Sequence, residues 1–181
     1  MKKSKNLKGT LYMVEASMIA SLYIATTFLQ EMLLRGSASG AVQFRISELL
    51  CVLAALTPSA IPGLTVGCFV ANLLTMGAMP LDVIIGSFAT LMASLCAYRL
   101  RGVKLFSVPV LSLFMPVIFN ALIIGLELEI FFIEGPFTAV GFLTQASLVA
   151  LGEFVVCVLG GIPFYFVVKK LPIFSLEKKE E

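Results

Sequence analysis

The chain has 181 residues and a net charge of +2; 59% of it is hydrophobic and only 13% is charged, where a soluble domain carries about 25% charged residues. That balance excludes a water-soluble globule and points to a single compact integral membrane domain over residues 1–181. His and Trp are both absent, which removes the commonest general base and metal ligand, so neither a metal site nor a Ser/His or Cys/His pair is expected.

The start, MKKSKNLKGT, is basic and polar. A cleaved signal is conceivable, since small residues follow at Ser37, Ala38, Ser39 and Gly40. Gln30, Glu31 and Arg35 argue against it, because such a signal is neutral there. Apolar segment 1 runs from about Leu11 to Leu34 and segment 2 from about Ala41 to Leu56, where Thr57-Pro58 ends it. Segment 3 starts near Ile61-Pro62 and ends near Met76-Gly77. Segment 4 runs from about Leu81 to Tyr98 and is closed by RLRGVK. Segment 5 runs from about Leu105 to Leu126, and ELEIFFIEGP then breaks the pattern. Segment 6 runs from about Ala139 to Val168, followed by KKLPIFSLEKKEE. A helix needs about 20 residues to span the hydrocarbon, so segments 2 and 3 are short for a full crossing. The expected fold is all-α: a six-transmembrane-helix bundle with cytoplasmic tails at about 1–10 and 169–181.

Basic residues set the orientation. Lys2, Lys3, Lys5 and Lys8, then Arg99, Arg101 and Lys104, then Lys169, Lys170, Lys178 and Lys179 all fall on one side when six spans are counted. That side is the cytoplasm, with both termini there. The other side keeps Arg35 and Arg45 and carries most of the acids.

This topology brings polar groups from four segments to one level. Gln43, Arg45 and Glu48 lie in the outer half of segment 2 and Asn72 beyond the midpoint of segment 3. Asn120 and Glu127 lie in the outer half of segment 5, and Glu153 near the middle of segment 6. Charges inside a membrane segment are costly and persist where they pair, line a wet cavity or hold a ligand. The level therefore reads as a pocket opening outward. Each residue also has a plainer reading. Arg45 and Glu48, three apart, neutralise each other; Asn72 and Asn120 are interhelical glue; Glu127 is a solvated loop acid. Glu153 is the hardest to explain that way, because no basic residue is near it in sequence.

Small residues recur at Ala16 and Ala20, at Gly63, Gly67 and Ala71, and at Ala89, Ala93 and Ala97, spacings that let helices approach closely. For Ala16 and Ala20, internal packing and a partner surface both remain open. The four cysteines (Cys51, Cys68, Cys96, Cys157) read as buried small hydrophobes. There is no Walker A loop, dinucleotide glycine motif or HExxH, and no nucleophile–base pair for an enzyme. Any energy source would have to be a partner protein or an ion gradient.

The run GAVQFRISELL, LTPSAIPGLTVGCFVANLL, LDVIIGSFATLMASLCAYRLR, FNALIIGLELE and LGEFVVCVLGGIPF resembles the QueT family over about Ala16–Pro163. These are the substrate-binding S components of energy-coupling factor (ECF) transporters associated with queuosine precursors. The resemblance implies a six-helix bundle in the bacterial cytoplasmic membrane that captures a 7-deazaguanine-type base from outside. It implies a transmembrane coupling subunit and two cytoplasmic ATPases as partners, with ATP used by them and no cofactor in this chain. No nucleic acid is expected. Ala16 and Ala20 match the Ala-x-x-x-Ala face that S components present to the coupling subunit. Glu48 or Glu153 would read the base edge, Glu127 would meet a cationic aminomethyl group, and Asn72, Asn120 and Gln43 would bond the carbonyl and ring nitrogen. Arg45 would orient Glu48, and Phe44 or Phe119 would stack on the base. Where the family has ALTVLP-like residues after the first Glu, this chain reads LLCVLAAL, which bears on pocket size. Three further readings stand beside this one: an S component for another small vitamin-like molecule, a stand-alone proton-coupled carrier titrating at Glu153, and a scaffold whose polar groups only join helices.

Overall fold

The computed structural model describes residues 2–34, 44–75 and 80–171, with side chains from Lys8 onward. Gln43 lies outside the described residues. The described chain is all-helical. Helix α1 spans Lys2–Leu33, a 3-10 helix spans Ile46–Ala55, and α2 (Ala60–Leu74), α3 (Pro80–Arg99), α4 (Val110–Phe131) and α5 (Ala139–Glu153) follow. A π-helical stretch, Phe154–Gly160, joins α5 to α6 (Gly161–Val168) without leaving the helical path. Pro163 accounts for the wide turn: it has no N–H to give the Leu159 carbonyl, and its ring displaces that carbonyl.

Among the described residues, four stretches are long and apolar enough to cross a membrane: Lys8–Leu33, Pro80–Arg99, Val110–Phe131 and Ala139–Val168. The 3-10 helix and α2 are apolar but shorter. Segment 2 is therefore not the α-helix expected. As a 3-10 helix it rises about 2.0 Å per residue, so its ten residues still cover about 20 Å. It is the centre of the bundle: Ser47, Glu48 and Leu50 to Ala55 are all buried. Around it pack Ile19 and Tyr23 of α1, Leu64 and Cys68 of α2, Leu113 of α4 and Tyr165 of α6.

Two further boundaries differ. Segment 5 does not end at Leu126: α4 continues through Glu127 and Glu129 to Phe131, because both acids turn inward instead of breaking the helix. Nor does it begin at Leu105. Residues 105–108 form a tight hairpin turn before the helix starts.

The glycine and alanine repeats are internal seams. A Cβ on Gly63 would lie 2.7 Å from the Ala16 carbonyl oxygen, and one on Gly67 would lie 2.8 Å from Tyr23 Cβ and 3.1 Å from the Ala20 backbone. So α1 and α2 touch backbone to backbone, and Ala89, Ala93 and Ala97 are likewise fully buried on α3. Ala16 and Ala20 thus lie on the side of α1 that meets α2. Ala20 is buried under α2, and the side of α1 left open carries Met13, Ser17, Met18, Ser21 and Leu22. Close packing wants small residues inside, whether or not another protein binds.

Candidate functional site

The end of the bundle reached by Leu33, Ile46, Leu74, Pro80 and Phe131 is called distal here; the other end, with Thr57, Arg99 and Val110, is proximal. Polar groups collect from the distal end down to mid-depth. In a 3-10 helix, residues three apart eclipse, so Glu48 and Cys51 stack on one face, with Arg45 above them at the N-cap in extended conformation. Arg45 and Glu48 do not form the close pair their spacing suggests. The Glu48 carboxylate, 1% exposed, accepts at Oε1 from Tyr23 Oη at 2.5 Å and Thr90 Oγ1 at 3.4 Å, and at Oε2 from Cys51 Sγ at 2.9 Å. Three neutral donors from three elements thus offset the cost of burying it.

Glu153 comes in from the last turn of α5, also buried at 2% exposure. Asn120 Nδ2 of α4 donates to its Oε1 at 2.9 Å, and Cys157 Sγ of the π turn lies 3.3 Å from its Oε2. The same sulfur is 3.5 Å from the Glu48 carbonyl oxygen. Cys157 therefore sits between the two acids, and Glu48 and Glu153 act on each other electrostatically. Among the described residues, the nearby cation is the Arg45 side chain, half-buried and within electrostatic reach of both. It crosses toward α3: a Cβ on Gly86 would lie 3.7 Å from Arg45 Nη1 and 2.8 Å from Asn72 Nδ2. Gly86 is the gap that lets both side chains through. Asn72 Nδ2 donates to the Asp82 carbonyl at 3.2 Å and touches Cys68 Sγ at 3.5 Å.

Glu127 is held further out on α4, beside Asp82 at the start of α3. It is buried, not solvated, and its Oε1 has no hydrogen-bond partner among the described residues. Glu129, two residues on, has a different task. Its Oε1 accepts from the Thr138 backbone N–H at 3.1 Å and from Thr138 Oγ1 at 3.0 Å, tying down the start of α5.

The structure thus brings Arg45, Glu48, Asn72, Asn120 and Glu153 into one cluster, with Glu127 at its distal margin. Phe44 is exposed at the distal end, while Phe119 is half-buried against the core. Sequence reasoning missed Tyr23, Thr90, Cys51 and Cys157, the groups that hold the acids in place. It also missed Gln30, whose amide donates to the Phe44 carbonyl and accepts the Ile46 N–H at 2.8 Å. That one buried side chain brackets Arg45 on both sides. A cavity of about 490 Å³ opens nearby between the distal parts of α1 and α2, lined by Ile24, Thr27, Phe28, Glu31, Ala71 and Thr75.

No histidine exists, and no metal-holding group of His, Cys, Asp or Glu occurs among the described residues. The cluster offers two acceptor carboxylates, two amides and one guanidinium.

No solved structure matches the chain. Among curated proteins, the queuosine precursor transporter QueT of Lactococcus lactis subsp. cremoris (strain MG1363) is 31% identical over 183 aligned positions, covering 94% of this chain and 95% of that one. The profile of the family described as QueT transporter matches residues 13–170, a stretch that holds every described member of the cluster. On these grounds, the chain belongs to the QueT transporter family.

Proposed function

We propose that this membrane protein is the substrate-capture subunit of an ECF-type importer, and that it binds a queuosine precursor from outside the cell. The observation that carries the reading is the pair of buried carboxylates, Glu48 and Glu153, each held by neutral donors and within electrostatic reach of one guanidinium. A 7-deazaguanine edge presents a ring N–H beside an amino group, which one carboxylate accepts as a bidentate pair. In this reading Glu48 or Glu153 takes that edge, Asn72 and Asn120 meet the carbonyl and ring nitrogen, and Arg45 supplies the nearby positive charge. Glu127, with its free Oε1, meets an aminomethyl group if the ligand has one.

The chain carries no nucleotide-binding motif. The reading therefore assigns ATP hydrolysis to two cytoplasmic ATPases acting through a transmembrane coupling subunit. It places all six apolar segments across the cell membrane, with both termini in the cytoplasm.

Titration of the purified protein with the aminomethyl-7-deazaguanine, nitrile and free queuine bases tests it. One of the three should bind, and Glu48→Gln or Glu153→Gln should weaken it by about tenfold or more, the loss of a hydrogen bond to a charged group. Absence of binding below about millimolar for all three would end the ligand assignment. Uptake driven by a proton gradient, with no ATPase present, would replace the importer reading with a stand-alone carrier.

A further inference from the structure

We infer that the turn between α3 and α4 is a membrane-interface anchor, with Phe106 inserted among anionic lipid headgroups. The inference does not depend on the ligand or on the transport partner. It starts from the backbone. The Leu105 N–H bonds the Val108 carbonyl at 2.9 Å and the Val108 N–H bonds the Leu105 carbonyl at 3.0 Å, closing a two-residue hairpin. Its two central residues, Phe106 and Ser107, have φ of 49° and 67°. That is the turn in which both central positions are left-handed and for which Asn-Gly is the preferred sequence. Here neither residue is glycine, and one is aromatic, so the backbone is strained.

The strain is not repaid inside the molecule. Phe106 is 89% exposed, and Val103 and Leu105 beside it are each more than half exposed. A strained turn that holds a phenyl ring in water loses twice. Both losses are offset if the ring leaves water. The position of the turn says where it goes. It joins two helices that are each long and apolar enough to cross a membrane, so it lies at a membrane face.

The charges say which lipid. Arg99, Arg101 and Lys104 precede the apex and no acid occurs from Tyr98 to Phe119. Arg101 lies with its guanidinium 4.1 Å from the Tyr98 ring centre, and Lys169 at the end of α6 sits over Phe166 at 4.1 Å. Basic heads on apolar stems over aromatic rings, around an apolar apex, fit an interface where tails are shallow and headgroups are negative.

The chain has no tryptophan, so Phe106→Trp creates a single fluorescent reporter at the apex. The whole protein is reconstituted into nanodiscs of zwitterionic lipid, with and without an anionic lipid, using acyl chains brominated near the headgroup. In anionic discs the emission should shift to the blue, brominated chains should quench it, and iodide should quench it severalfold less than free tryptophan amide. The effect should weaken in zwitterionic discs. Emission typical of water, quenched by iodide as in the free amide in both lipids, would overturn the inference. So would a blue shift that appears only when a protein partner is added. Because tryptophan itself favours interfaces, hydrogen exchange on the unaltered chain is the companion measurement. Anionic lipid should slow the backbone amides of Lys104, Phe106 and Ser107, and unchanged rates would count against the anchor whatever the reporter shows.

Discussion

At the scale of single residues, the buried acids are the costly feature and their donors are what make them tolerable. Burying an ion costs several kcal/mol unless hydrogen bonds replace its water. Glu48 has three such bonds, the shortest from Tyr23 at 2.5 Å. Tyr23→Phe keeps the ring and removes only that donor. It should lower stability by about 1.5–3 kcal/mol, the worth of a hydrogen bond to a charged group. Thermal unfolding in detergent reads the loss, and an unchanged midpoint would mean Thr90 and Cys51 suffice. Gly86 makes the opposite point, because here the absence of a side chain is what matters. In Gly86→Ala the new methyl would stand 2.8 Å from Asn72 Nδ2, pushing that amide off the Asp82 carbonyl. Overpacking of this kind costs about 1–3 kcal/mol. Removing the amide removes the clash, so Gly86→Ala combined with Asn72→Ala should be less damaging than the sum of the two. A strictly additive double-mutant cycle would show that the two positions do not meet.

Elements set where those residues stand. Asn120 and Glu153 meet because α4 and α5 run very close at Gly125, where an added Cβ would lie 2.8 Å from Ala146 Cα and 2.9 Å from its backbone nitrogen. Backbone cannot step aside as a flexible side chain can. Gly125→Ala should therefore separate the two helices near the Asn120–Glu153 bond and cost about 1–3 kcal/mol. The same detergent unfolding assay measures it, and a neutral result would place the helix contact elsewhere. Much of this arrangement was legible in the sequence, and the failures have physical causes. The apolar runs and the small-residue repeats gave the helices and their seams, because close packing leaves a compositional trace. The 3-10 geometry of ISELLCVLAA left none. A run buried on nearly every side shows no apolar stripe, and periods of 3.0 and 3.6 residues look alike over ten positions. Glu127 and Glu129 were read as the end of a helix because acids usually mean solvent, yet Glu129 is committed to Thr138. Arg45, Glu48, Asn120 and Glu153 were found because charge and amide are conspicuous among apolar residues. Tyr23, Cys51 and Cys157 were not, since each is an ordinary residue of an apolar helix and its polar atom matters only once the partner's position is known.

For the whole molecule, the decisive question is how the two ends sit relative to the membrane. The 3-10 helix covers about 20 Å and α2, at fifteen residues, about 22 Å, against a hydrocarbon core of about 30 Å. Together they run from the distal end to Thr57–Ser59 and back. Whether each crosses fully or the pair dips partway and returns, the number of crossings stays even. At the turn between them, Ser59 Oγ donates to Glu15 at 2.6 Å and Thr57 Oγ1 donates to it at 3.1 Å, which fixes this turn against the proximal half of α1. The proximal end carries Lys8, Arg99, Arg101, Lys104, Lys169 and Lys170; the distal end carries Glu31, Asp82, Glu127, Glu129 and Glu134. Excess Lys and Arg in short loops stays on the cytoplasmic side, so the proximal end is expected inside and the polar cluster faces out. Lys8, Gly102 and Glu134 are all exposed, and each can be changed to cysteine in a chain whose four native cysteines have been replaced. On intact cells a membrane-impermeant thiol reagent should label Glu134→Cys at once, and Lys8→Cys and Gly102→Cys only after lysis. Labelling of Gly102→Cys together with Glu134→Cys would mean that α4 does not cross. Labelling of Lys8→Cys and Gly102→Cys alone would turn the molecule over, and Glu48 and Glu153 would then open toward the cytoplasm, where a capture subunit has nothing to capture.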